Sequence, residues 1–376
     1  MLWVFLACDA LMIIAFAITP FVTRKTELFG VSLPSAEIGR QELSKMRKSY
    51  LCIILILGVV LIALNILLFQ LFTAEMTQVS IYLILLFAFI GVSFLVYLAF
   101  HRKMKAFKAM QSWREYGATG KTGTDAESIL VVDTSPPGNE VINPAWLILF
   151  PAIAGFTILF LAILWPSLPN SIPVHMDGAG LINGWMDKNA GAFVTMLVAQ
   201  WILIIVFVLV YFMIRVSKRQ IDAAKPAESR EQGRRFRYIM SACIVFGGAA
   251  MSVIIGILPI MLAQSKGGVV YAVVPLIFIF AIIAVMLIVM FRTGQGGSRL
   301  KITDAQDTGN DLVSNMDNDK YWKLGVFYFN PHDQSFLVEK RFGIGWTLNF
   351  GHPAGWLIII GIIVMVIVSM FIAKNA

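Results

Sequence analysis

The chain has 376 residues, of which 58% are hydrophobic and 14% charged, with a net charge of +8 and a mean hydropathy of +0.79. Globular domains carry about 45–50% apolar and about 25% charged residues, so this composition excludes an ordinary soluble protein. The apolar residues fall in blocks rather than at a helical or strand period, which makes the bilayer their solvent.

Eight blocks have the roughly 20 residues needed to cross about 30 Å of hydrocarbon: Leu2–Val22, Tyr50–Phe72, Gln78–Phe100, Ala145–Trp165, Gly191–Ile214, Ile239–Leu262, Val269–Phe291 and Ala354–Ile372. The alternate connections 23–49, 101–144, 215–237 and 292–353 hold 27 of the 30 Lys and Arg residues, leaving only Lys188, Lys266 and Lys374 for the other side. By the positive-inside rule both termini are outside and the basic loops cytoplasmic. The basic excess is thus an orientation signal, with some anionic-lipid contact, and not a nucleic-acid footprint. Cys8, Cys52 and Cys243 all lie inside apolar blocks and read as small buried hydrophobes; no disulfide framework, metal cluster or cofactor motif is present.

The first block lacks a basic head, and Arg24 and Lys25 follow it, the mark of an N-out anchor rather than a signal peptide. Asp9 within it and Asn65 in the second block are intramembrane polar candidates, because an ionisable group there costs about 2.5–3.5 kcal/mol. Asp9 lies close enough to the outer end to reach headgroup water, and Asn65, Gln70 and Gln200 also suit bonds between helices. Pro259 and Pro275, on either side of the short turn at Lys266, are expected to kink or end helices. In the first basic loop the spacing Glu37–Gln41–Lys45–Lys48 predicts a short charged helix. The segment beginning at His101 predicts a basic amphipathic extension on the inner surface, followed by a flexible Gly/Thr-rich stretch at 117–124. That stretch lacks the glycine spacing of a phosphate-binding loop.

The outer loop, residues 166–190, is LPNSIPVHMDGAGLINGWMDK with its preceding Pro-Ser and following Asn-Ala. Pro166, Pro169 and Pro173 stop the fourth helix and favour extended backbone. His175 to Gly178 reads as a turn, Gly180 and Gly184 follow, and Trp185 suits a membrane interface. Asp187 or Asn189 is positioned to cap the fifth helix, next to Lys188. His175 and Asp177 could act as an acid/base pair or hold a metal; alternatively they bond loop backbone and cap a turn. His101, His332 and His352 fall on the cytoplasmic side, so an outer metal would need oxygen ligands from Asp9, Glu75, Asp177 or Asp187. The Pro-x-His, Gly-containing turn, aromatic and Lys pattern, with its two flanking helices over about 145–214, resembles a bacterial membrane domain of unknown function best known from SdpI-type immunity proteins. Such proteins protect a producing cell from a secreted membrane-active peptide and hold a transcriptional repressor at the membrane when that toxin is present. This chain departs from them in the spans ahead of the domain and in a second polar segment near its end.

That segment opens with an Asp-rich linker, which lacks the glycine and glutamate of a calcium loop. Gly325–Phe329, Ser335–Arg341 and Trp346–Asn349 then predict short strands. The G-x-F-Y-x-N-P core at Gly325–Pro331 and GWTLNFG at Gly345–Gly351 resemble a small C-terminal domain of unknown function seen in bacterial membrane proteins. Trp322, Tyr328, Asn330, Pro331, Trp346 and Asn349 are candidates for meeting a cytoplasmic partner, or for forming a mini-core.

The expected architecture is an all-α polytopic membrane protein of about eight transmembrane helices, N-out and C-out, in the cell membrane, with a small cytoplasmic β-rich segment before the last helix. Three spans over 1–144 lead into the two-helix unit 145–214, two spans over 215–300, the linker and β-segment 301–353, and a last span over 354–376. The expected role is non-enzymatic: sensing of, or immunity to, a membrane-active peptide or envelope stress. The expected partners are the lipid bilayer, an extracellular peptide and a cytoplasmic transcriptional regulator, with no direct nucleic-acid contact. A small-molecule or ion transporter using Asp9 and Asn65, and an outer-face enzyme using His175 and Asp177, are the alternatives.

Overall fold

A computed structural model of the chain describes residues 2–34, 37–111, 140–177, 180–221, 225–264, 268–302 and 318–375. The Gly/Thr-rich stretch 117–124, Lys266, Gly178 and the Asp-rich linker to 317 lie outside the described residues. Among the described residues seven helices are long and apolar enough to cross a membrane: α1 (Leu2–Val22), α2 (Gln41–Leu71), α3 (Glu75–Met110), α4 (Leu149–Leu164, extended by 3-10 turns to a span of Pro144–Ser167), α5 (Ala190–Val216), α6 (Pro226–Gln264) and α7 (Val269–Thr293). The chain is therefore a multi-pass membrane protein. An eighth helix, α8, covers Pro353–Asn375.

The 31, 36 and 39 residues of α2, α3 and α6 are more than a bilayer needs, roughly 46–58 Å against about 30 Å of hydrocarbon. The surplus lies at their charged ends, where the expected short charged helix is the first turns of α2. Pro259 and Pro275 lie inside α6 and α7, and neither ends its helix.

The chain divides into two compact units. The first comprises 1–134, 217–233 and 290–356; the second comprises 135–216, 234–289 and 357–376. In the first unit α1, α2 and α3 each bury one narrow stripe, on α2 Leu43, Met46, Tyr50, Ile54, Gly58, Leu61 and Asn65 at helical spacing. Their other faces leave Val59 and Phe87 each 68% exposed, as lipid contact requires. Gly58 is needed here, because a Cβ would lie 2.7 Å from Ile13 of α1. Between α1 and α2 the chain forms a hairpin, β1 (Glu27–Leu28) with β2 (Val31–Ser32), turned by Phe29 and Gly30, both at positive φ.

The same unit holds two further hairpins, β5 (Trp322–Lys323) with β6 (Phe327–Tyr328) and β7 (Leu337–Glu339) with β8 (Trp346–Leu348). The Leu324–Gly325 turn of the first abuts Gly30, at which a Cβ would strike the Gly325 backbone. Tyr97 and His101 on α3 hold both turns: Tyr97 donates to the Leu324 carbonyl at 2.9 Å, and His101 Nδ1 lies 2.7 Å from the Phe29 carbonyl. Phe342 closes this junction against Phe29, Tyr50 and Tyr97.

In the second unit α4, α5 and α6 meet around Gln200, whose Nε2 donates to Thr157 Oγ1 at 3.0 Å and to the Ser252 carbonyl at 3.1 Å. Gly248 and Gly256 of α6 face Phe207 and Gln200 closely enough that no Cβ would fit without displacing them. Between α4 and α5 lies the fourth hairpin, β3 (Ser171–Met176) with β4 (Ile182–Asp187).

Candidate functional site

The segment 166–190 is not an irregular loop. His175 and Met176 belong to β3, and the reversal runs from Asp177 to Leu181. Asp177 shapes this turn through its Oδ1, which accepts from the Leu181 amide at 2.8 Å, and its carbonyl, which accepts from Gly180. Gly180 is buried with φ +83°, and its carbonyl accepts from the Gly268 amide. Opposite His175 stands Gly184, where a Cβ would lie 2.7 Å from that of His175; only glycine admits this approach, between two register shifts. His175 Nδ1 pairs with Asn183 Oδ1.

One face of the hairpin is fixed to the bundle by Ile172, packed with Leu161, Leu168 and Met196. Lys188 is a clamp rather than a free cation. Its Nζ donates to the Leu168 carbonyl at 2.8 Å and lies 5.8 Å from the Trp165 ring, satisfying carbonyls where α4 ends. Asn189 caps α5 by accepting from Ala192 at 2.9 Å. Val174, His175, Leu181, Asn183 and Trp185 are exposed, Trp185 by 57% and Leu181 by 66%. Among the described residues this sheet has two strands, so each has an edge with no partner strand.

Within the helices Asn65 Nδ2 donates to Asp9 Oδ2 at 2.8 Å. Both are buried, and Asp9 Oδ1 has no partner among the described residues.

The C-terminal segment uses its candidate residues for its own core. Trp322 and Tyr328 are buried together with Val338. Asn349 is fully buried; its Oδ1 accepts from the amides of Asn330 and Gly351, and its Nδ2 donates to the Asn330, Asp333 and Ser335 carbonyls. Trp346 is half-buried and Pro331 exposed. Lys218 ties the segment down by donating to Asp333 at 2.8 Å, and Asp333 also accepts from Tyr328.

Beside this core is a buried ionic cluster that sequence reasoning did not single out. Three cations, Arg24, Lys108 and Arg341, meet three carboxylates, Glu27, Asp319 and Glu339. Arg24 pairs with Glu339, Arg341 with Asp319, and Lys108 with Asp319 at 2.7 Å. Burial alone would raise the Asp319 pKa, but Arg341 and Lys108 outweigh it and hold it at about 2. Glu27 fares differently. Its contact with Arg341 is long, 3.7 Å, and Arg341 is already engaged by Asp319 and by the Trp322 ring. Desolvation therefore dominates and pushes Glu27 up to about 7, against the pull of Arg341 and Arg24. The available hint was a carboxylate set against apolar neighbours, Glu27 before Leu28–Phe29 and Glu339 after Leu337–Val338.

Two family models match parts of the chain. A domain of unknown function (DUF1648) matches residues 152–199, which span most of α4, the β3–β4 hairpin and the start of α5. A family of unknown function (DUF5808) matches 331–356, from Pro331 through β7 and β8 to the first turn of α8. No curated protein and no solved structure matches the chain.

Proposed function

We propose that the chain is a non-enzymatic protein of a bacterial cytoplasmic membrane that senses, or gives immunity to, a membrane-active peptide or an envelope stress, with β3–β4 as its receiving element on the outer face. The observation that carries this reading is the set of exposed apolar and polar residues along the hairpin. Exposed Val174, Leu181 and Trp185, next to His175 and Asn183 and flanked by free strand edges, suit an extended amphipathic peptide that adds as a strand. The match to the domain of unknown function covers the hairpin, most of α4 and the start of α5. On this reading the C-terminal segment hands the signal to a cytoplasmic regulator, and its exposed Phe327, Phe329 and Pro331 are the residues available for contact.

The test is survival and membrane potential of a deletion strain challenged with a panel of membrane-active peptides. Wild type is expected to restore protection, while Trp185→Ala and His175→Ala, at equal abundance, restore less. If no peptide separates the strains, the immunity reading falls. A transporter is the second reading, favoured by the buried Asp9–Asn65 pair. Asp9→Asn separates the two, because it abolishes transport under the second reading and leaves peptide protection intact under the first.

A further inference from the structure

We propose that the first unit contains a binding site for a phosphate-bearing group, in a cavity of about 240 Å³ where α1 and α7 end and α6 begins. Its walls carry Arg24, Lys25, Lys225, Glu228, Ser229 and Gln232. Such a volume suits a headgroup or a small anion and falls below the roughly 300–1,000 Å³ of drug-sized sites.

The walls are built, not accidental. Arg24 is braced by donating to the Gln220 carbonyl at 2.9 Å and by its pair with Glu339. Gln232 spans to the Leu300 carbonyl at 2.9 Å. Gly296, at φ +61°, lets the chain pass over the Arg24 guanidinium, where any Cβ would collide.

Charge selects the ligand. Glu228, the one acid in the wall, is taken up by Lys225 at 3.1 Å and by Gln232. Lys25 is exposed at the cavity and has no carboxylate partner among the described residues, so the wall retains an uncompensated positive charge. A phosphate brings a charge of about −1.5 to −2 and three acceptor oxygens, matching clustered Arg and Lys donors better than a single carboxylate. Because the cavity lies at the ends of two apolar helices, the phosphate has two possible sources, an anionic phospholipid headgroup and a soluble compound.

The experiment uses the purified full chain in detergent. One arm titrates phosphatidylglycerol against phosphatidylcholine and reads bound lipid by native mass spectrometry. The other reads the thermal midpoint in inorganic phosphate against chloride at equal ionic strength. Lys25→Glu breaks no ion pair among the described residues, and Lys103→Glu, exposed on α3 outside the cavity, controls for net charge. At least one probe is expected to bind wild type and Lys103→Glu alike and to bind Lys25→Glu about tenfold more weakly, the value of one charge-assisted contact. A response to phosphatidylglycerol alone assigns a lipid headgroup; a response to phosphate, with or without lipid, assigns a soluble phosphate compound. The proposal is overturned if neither probe distinguishes wild type from Lys25→Glu, or if Lys103→Glu loses as much. Should Lys25→Glu not fold, Lys25→Gln is judged by the same comparison.

Discussion

At the scale of single residues, Glu27 governs how stability depends on pH. Its native pKa of about 7 lies above the ordinary 4.5, so between those values the folded chain holds a proton the unfolded chain has released. Stability therefore falls as pH rises from about 4.5 to about 7, by about 3 kcal/mol in all. Asp319 acts in the opposite sense: its native pKa of about 2 against 3.8 adds stability that is lost as pH falls through that window. In the thermal midpoint measured against pH, Glu27→Gln is expected to flatten the decline between pH 4.5 and 7 and to exceed wild type above it. Parallel profiles would show that Glu27 does not titrate in this window. The neighbouring ion pairs give a second expectation. Glu339→Ala leaves Arg24 buried without its carboxylate and should cost about 3–5 kcal/mol. The half-exposed Arg40–Glu37 pair should cost under about 1 kcal/mol when Glu37→Ala removes it. Denaturant titration of both variants in one detergent checks the ranking. This cluster was illegible in the sequence for a plain reason. Arg24 and Glu339 lie 315 positions apart, and in a chain with 27 of its 30 Lys and Arg in alternate connections nothing local marks those that are buried in pairs.

At the scale of elements, legibility followed hydropathy. The range Leu2–Val22 is the same in sequence and structure, because α1 is apolar to both ends. The charged ends of α2 and α3 were legible from the spacing of their charges, whereas the basic start of α6 was missed because a helix that leaves the bilayer keeps its backbone bonds in water while its hydropathy collapses. The β3–β4 hairpin was half visible: β4 alternates in burial as a half-buried strand should, whereas Pro173 and two register shifts hide the pattern of β3. That geometry yields a paired prediction. Gly184→Val places a branched side chain against His175 and should break the hairpin, seen as new proteolytic cleavage within 171–187 and lower abundance. Trp185→Ala removes only an exposed ring and should stay within about 0.5 kcal/mol of wild type. If Gly184→Val resists protease as wild type does, the close approach of the two strands is not what holds them.

At the scale of the whole molecule, the distribution of charge makes its own prediction. With 27 of 30 Lys and Arg in alternate connections, the positive-inside rule places the amino terminus outside, and the parity of the spans then decides the other end. Seven crossings leave the carboxyl terminus in the cytoplasm; an eighth carries it out. The 23 residues of α8 extend about 34 Å, enough for about 30 Å of hydrocarbon, and Lys374 is their only charge. By the same rule the seven basic residues of 292–353 favour the cytoplasmic side for the preceding segment, so α8 is expected to cross outward. Alkaline phosphatase fused after Ala376 should be active and a fluorescent protein at the same point dark, while a single cysteine at exposed Pro331 should react with an impermeant maleimide only after permeabilisation. The opposite reporter pattern at Ala376 with Pro331 still protected would mean that α8 lies along the inner surface. The regulator would then face a membrane-bound helix as well as the β-segment. Labelling of Pro331→Cys in intact cells would invert the whole arrangement and place β3–β4 inside, where no secreted peptide could reach it.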